Sequence, residues 1–228
     1  MKRKYLSFFL TVIMLLTMMP FSAAAADTTS ERDEIIELAC EIYPEHADKI
    51  RHQTITSADN TRSSDAVLVY SDSREVSESE TLLYSEYSNG IILLTDYDFD
   101  EVVTTVDSAT GAGATTYTIN VKATCSHVAG HFMINNFKYT LISSTYDRID
   151  SLGTYYAYET PGNGIEYDCS FSESSTNPRT QMTETASSDA YANFALQFRF
   201  SAREEDFFTS LLEIIVGNNG LTVEHQKT

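Results

Sequence analysis

Cys125, His127 and His131 are side chains whose type and spacing could hold a transition metal. Thiolate and imidazole bind zinc or copper, and a hairpin between the two histidines would set His127 across from His131. No fourth ligand stands nearby, and a Cys125 held in a disulfide could not ligate. A second grouping is Asp96, Asp98, Asp100 and Glu101, carboxylates at alternating positions like the opening of an EF-hand loop. The sixth position of such a loop requires glycine and is Glu101 here, while the twelfth is Asp107 where a bidentate Glu belongs. An EF-hand is thereby excluded, and calcium would need ligands from another loop. On a strand the aspartates would share one exposed face, with Tyr97 and Phe99 turned inward. Tyr155, Tyr156 and Tyr158, beside Pro161, form a third grouping, of the kind that stacks on sugar rings. The chain has no Trp, which such platforms favour.

Catalytic signatures are missing. There is no G-x-S-x-G, no H-E-x-x-H, no phosphate-binding loop and no dinucleotide fingerprint. Cys125 with His131, or Cys40 with His46, are the thiol–imidazole pairs on offer. The second pair is spaced i, i+6, on different faces of a helix. Acid pairs are too plentiful among 33 carboxylates for one to stand out.

The elements that must position these groups are mostly strands. Residues 117–127, YTINVKATCSH, alternate throughout: Tyr117, Ile119, Val121, Ala123, Cys125 and His127 on one face, polar residues on the other. That period of two marks a strand with one buried and one wet face. Residues 165–172 repeat it, placing Cys169 inward, and so do residues 190–200. Cys125 and Cys169 are therefore paired as a core disulfide, closing a loop of about 45 residues and contributing roughly 3–4 kcal/mol; Cys40 is left free. Residues 81–87 and 91–97 flank Asn89 and Gly90, and residues 155–160 and 164–172 flank Pro161 to Gly164, both hairpin signals. Residues 131–143 read as a return strand. Residues 211–216 and 221–224, around Gly217-Asn-Asn-Gly220, read as a closing hairpin, although Ser201 to Glu204 also offers a helical capping box. Residues 101–106 read as a further strand and residues 108–115 as a flexible loop, and the run 102–118, rich in Thr, Ser, Ala and Gly, reads as an ordinary mobile loop between two strands or the insertion hairpin of a β pore-former.

Ahead of the strands, Ser30 is the expected N-cap of a helix whose buried stripe is Ile35, Leu38, Ala39 and Ile42. Pro44 ends it and opens a second short helix over residues 45–51. The fold class is mainly β: an antiparallel β-sandwich, or flattened barrel, preceded by a short helical hairpin.

Lys2, Arg3 and Lys4, an apolar run of about 15 residues and the small residues 22–26 describe an export signal cleaved after Ala26. The expected organisation is a signal at 1–26, a helical segment at 27–53, a linker at 54–65 and a β domain at 66–228. Losing three of the 15 basic residues leaves 12 against 33 acidic ones, a net charge of −21. Such a chain repels nucleic acid and anionic membranes. In style it resembles small proteins exported by Gram-positive bacteria, a likeness that implies secretion and no particular activity. The expectation is a secreted, non-enzymatic protein binding an extracellular glycan or protein, with no cofactor unless calcium. A secreted hydrolase of cell-wall or host polymers and a membrane-active β pore-former are the alternatives.

Overall fold

A computed structural model describes residues 23–51, 66–88, 90–125, 130–159, 179–199 and 207–227. Helices α1 (Ala23–Ile42) and α2 (Ala47–Arg51) precede eleven strands: β1 (Leu68–Glu75), β2 (Glu80–Tyr87), β3 (Ile92–Val106), β4 (Gly113–Cys125), β5 (Gly130–Ile142), β6 (Arg148–Ser151), β7 (Thr154–Glu159), β8 (Arg179–Gln181), β9 (Ala190–Arg199), β10 (Phe207–Gly217) and β11 (Gly220–Lys227). Strands β1 to β6 form one antiparallel sheet in sequence order, with β7 also paired to β5. The order β11-β10-β9-β8 makes the second sheet. Two separate sheets make this a sandwich and not a flattened barrel.

The period-two segments supply the interface. Ile119, Val121 and Ala123 of β4, Phe132, Ile134, Phe137 and Tyr139 of β5, and Leu93 of β3 face Ala190, Ala192 and Phe194 of β9 and Leu212, Ile214 and Val216 of β10. Phase is kept across β4 and β5 by a bulge: Ile119 pairs Phe137, but Val121 pairs Ile134. Asn136 (φ 59°) takes the left-handed turn this needs, its N–H donating to Asn120 Oδ1 at 3.0 Å. Opposite lies Gly153 (φ 67°), where a Cβ would stand 2.0 Å from the Asn135 carbonyl oxygen. The closing hairpin forms as read, Gly217 pairing Gly220 around Asn218 and Asn219, both at positive φ as a type I′ turn demands. The capping box beginning at Ser201 does not prevail: the chain from Phe207 to Gly217 is strand, its apolar positions paired on β9.

The outer face of the large sheet is not wet. Ile35, Ala39, Cys40, Tyr43 and Ile50 of the helices pack on Leu82, Tyr84, Ile92 and Leu94. Thr118 and Thr124, expected in solvent, are buried as well. Tyr43 Oη donates to the carbonyls of Leu82 (3.0 Å) and Asp72 (3.3 Å), and Arg74 lies 4.3 Å over the Tyr43 ring while donating to the Ile42 carbonyl (2.6 Å). Ser30 is not the N-cap, because α1 starts at Ala23 in a run of four alanines, the best helix formers, and continues through Asp27, Thr28 and Thr29 past Ser30. The second helix starts at Ala47, after a turn at residues 44–46.

Candidate binding edge

Strand β3 is long enough to have two different halves. From Leu93 to Asp98 it is paired on both sides, with β2 and with β4. The N–H of Phe99 donates to the Ser79 carbonyl at 2.8 Å, and there the cover from the β1–β2 hairpin ends. Asp100 is a bulge: Phe99 pairs Ile119, and Glu101 pairs Thr118. From Glu101 to Val106 only β4 is paired, and all six residues are exposed. Val102 is 55%, Val103 40% and Val106 70% accessible. Among the described residues, no strand occupies the outer edge of this segment.

This arm is firmly built. Its β4 half is zipped to β5 from Ala114–Ile142 to Ile119–Phe137. At its tip Asp107 accepts from Ala109 N (3.1 Å), Thr110 N (2.9 Å), Thr110 Oγ1 (3.0 Å) and Arg148 Nη1 (2.9 Å). The Arg148 guanidinium, helped by the Thr110 bonds, holds the Asp107 carboxyl down to about 2. The strand expected over residues 101–106 forms, and the flexible loop expected over 108–115 is shortened because β4 already begins at Gly113, threonine suiting a pleated surface better than a loop. On its inner side runs an aromatic ladder: Tyr97 to Phe99 at 6.2 Å, Phe99 to Tyr117 at 5.8 Å, Tyr117 stacked on Tyr139 at 5.0 Å. Tyr97, Phe99 and Tyr117 are only partly covered.

The four carboxylates do not converge. Tyr97 and Phe99 do turn toward the core, but Asp96 is 6% exposed instead of solvated. It lies on the outer face, paired in register with Lys122, which reaches to 4.0 Å from Glu34 of α1. Burial first, then the neighbouring Glu80 and Asp98 carboxylates, push Asp96 up to about 7, while Lys122 pulls the other way. Its Oδ1 has no hydrogen-bond partner. Asp98 accepts from Asn120 Nδ2 at 3.3 Å, Asp100 sits in the bulge and Glu101 on the open edge. No three His, Cys, Asp or Glu side chains form a metal-binding group among the described residues.

The other expected groups lie elsewhere on the two sheets. His131 pairs through its backbone with Thr124 and Tyr158, and Cys125 with Leu93. His127, Cys169 and Pro161 lie outside the described residues. Tyr155 and Tyr156 are consecutive on β7 and point to opposite faces. Tyr155 meets Phe194 edge-on at 5.5 Å, so the two cannot share one stacking platform. Cys40 is a buried free thiol directed at the Ala47 carbonyl (3.8 Å), and His46 stacks instead on Tyr84 at 4.8 Å.

Two polar sites escape sequence reading altogether. His225 is buried, its Nδ1 2.7 Å from Thr95 Oγ1 and its Nε2 2.5 Å from Ser210 Oγ, which bridges the two sheets. Burial lowers its pKa to about 3, so the imidazole is neutral. A Ser–His contact of this kind would be nucleophilic in a cleft; sealed in the core, 130 residues from Thr95 in sequence, it is a structural bridge. At one end of the sandwich Asp147 accepts from Ile142 N (2.8 Å) and Asn219 N (2.7 Å), and Glu184 from Asp147 N (2.8 Å) and Asn218 N (3.3 Å). Aspartate and glutamate in turns are too common to single these out beforehand. Neither a family model, nor a curated protein, nor a solved structure matches this chain.

Proposed function

We propose that this is a secreted, non-catalytic binding protein whose target is an extracellular protein. The observation that carries the reading is the open half of β3: six consecutive exposed strand residues with three valines and no described partner strand. A row of unpaired backbone donors and acceptors is a liability that soluble proteins normally cover or guard. Its retention on a rigid arm is what a recognition surface requires. The leader pattern at residues 1–26 supports export.

Labelled mature protein applied to bacterial and epithelial cells tests this. Binding should be abolished by protease treatment of the cells and survive periodate oxidation. Binding that resists protease and is lost after periodate would replace the protein target with a glycan.

A further inference from the structure

We infer that the open β3 edge takes up an extended, lysine- or arginine-bearing segment of the partner protein as an added strand; this rests on the binding reading above and names the chemistry of its target. Every second residue of an edge strand turns its N–H and C=O outward, so residues 101–106 present a hydrogen-bonding row about 20 Å long. The added strand would lie in line with β2, beyond the point where Phe99 N meets the Ser79 carbonyl. Little ordering cost falls on this side, because β5 and the Asp107–Arg148 pair already hold the arm.

Side-chain pattern follows from register. Val102 pairs Tyr117, which packs toward the sandwich core, so Val102 and Thr104 face inward beside the aromatic ladder. Residues of the incoming strand on that face would be apolar or β-branched. Glu101, Val103 and Thr105 face outward, and there the incoming strand would carry its cations.

Charge selects the occupant. From Glu75 to Val121 the chain has nine Asp and Glu and no Lys, Arg or His. Asp98, Asp100 and Glu101 stand together where the open edge begins. Another edge strand, β1, carries Asp72, Arg74 and Glu75, with Arg74 ion-paired to Glu45 and Asp72. The β3 edge has no such mixed guard. A second copy of this chain would bring a net charge of −18 against the same acidic surface, which disfavours self-pairing.

Hydrogen–deuterium exchange on the secreted protein reads this directly. The probes are a short capped peptide alternating Lys with Val and Thr, and its twin with Glu in place of Lys. The outward-facing amides among residues 101–106 should exchange freely alone and be slowed about tenfold by the Lys peptide, while those bonded to β4 are protected throughout. Those of Leu212 to Val216 should not change, the Glu peptide should have no effect, and high salt should erase the protection. Glu101→Lys with Val103→Lys, surface changes that leave the backbone intact, should abolish the response without lowering Tm. Equal responses to both peptides, protection of the outward-facing amides already present in the free protein, or protection that grows with protein concentration alone would overturn the inference. Cell-surface binding retained by the double-Lys variant would overturn the edge and keep the binding reading. Loss of cell binding by the unaltered protein would overturn that reading itself.

Discussion

Thr95 and Asp96 are neighbours on β3 and look into two different interiors. Thr95 faces the sandwich, where its hydroxyl meets His225 at 2.7 Å and the imidazole is bonded on both nitrogens. Asp96 faces the layer beneath α1, where one of its oxygens has no partner and two acidic neighbours outweigh Lys122. Both groups are shifted toward neutrality by burial, yet one is fully satisfied and the other is not. Both sites exclude water, so the difference is one of partners: the inner core supplies hydroxyls to both nitrogens of its buried polar group, and the outer layer leaves one carboxyl oxygen without any.

The largest test of that difference is volume loss in the inner core. Phe137→Ala, at a fully buried site touched by both sheets, should cost about 3–5 kcal/mol in urea unfolding. A cost nearer 1 kcal/mol would mean the sandwich is not the stabilising unit.

Acid comes next. Unfolded, His225 takes up a proton near pH 6.5; folded, it refuses one until about 3. Its contribution is intact above 6.5 and declines as pH falls, on the order of 4 kcal/mol by pH 3. An NMR titration should show this imidazole still neutral at pH 5, and a midpoint near 6.5 would refute the buried bridge.

Asp96 acts with the opposite sign. Its pKa is raised from 3.8 to about 7, so its stabilising form is complete below 3.8 and is lost as pH rises through about 7. Asp96→Asn should therefore raise stability at pH 8 by about 2 kcal/mol after allowance for solvent screening, and by nothing at pH 4. The acid decline of the variant should also be steeper than that of the parent, since the compensating titration is gone.

The smallest effect belongs to the helix seam. Tyr43→Phe removes one hydroxyl bonded to two sheet carbonyls and should cost about 1 kcal/mol. Amides of α1 should then exchange faster while those of β4 and β10 hold.

Much of the sandwich was legible beforehand, for a definite reason. Period-two alternation at Ile119, Val121 and Ala123 and at Ala190, Ala192 and Phe194 marks which side of each strand is buried, whatever lies opposite. The Gly217-Asn-Asn-Gly220 turn was legible because left-handed backbone needs those residues. Ser30 misled because a capping residue marks a start only where no helix arrives from before it, and here one begun in the alanines at 23–26 carries on through Asp27, Thr28 and Thr29. The Asp96 to Glu101 series misled because alternation says which residues share a face and says nothing of a helix laid over it.

Local patterning alone thus determined the strand and turn chemistry, the acidic character and the export leader expected at the N-terminus. Tertiary structure decided which interior each face meets, that Thr95, Ser210 and His225 come together, and that the second half of β3 outruns its neighbour β2. Those outcomes depend on strand lengths and on contacts more than a hundred residues apart, to which local periodicity is blind.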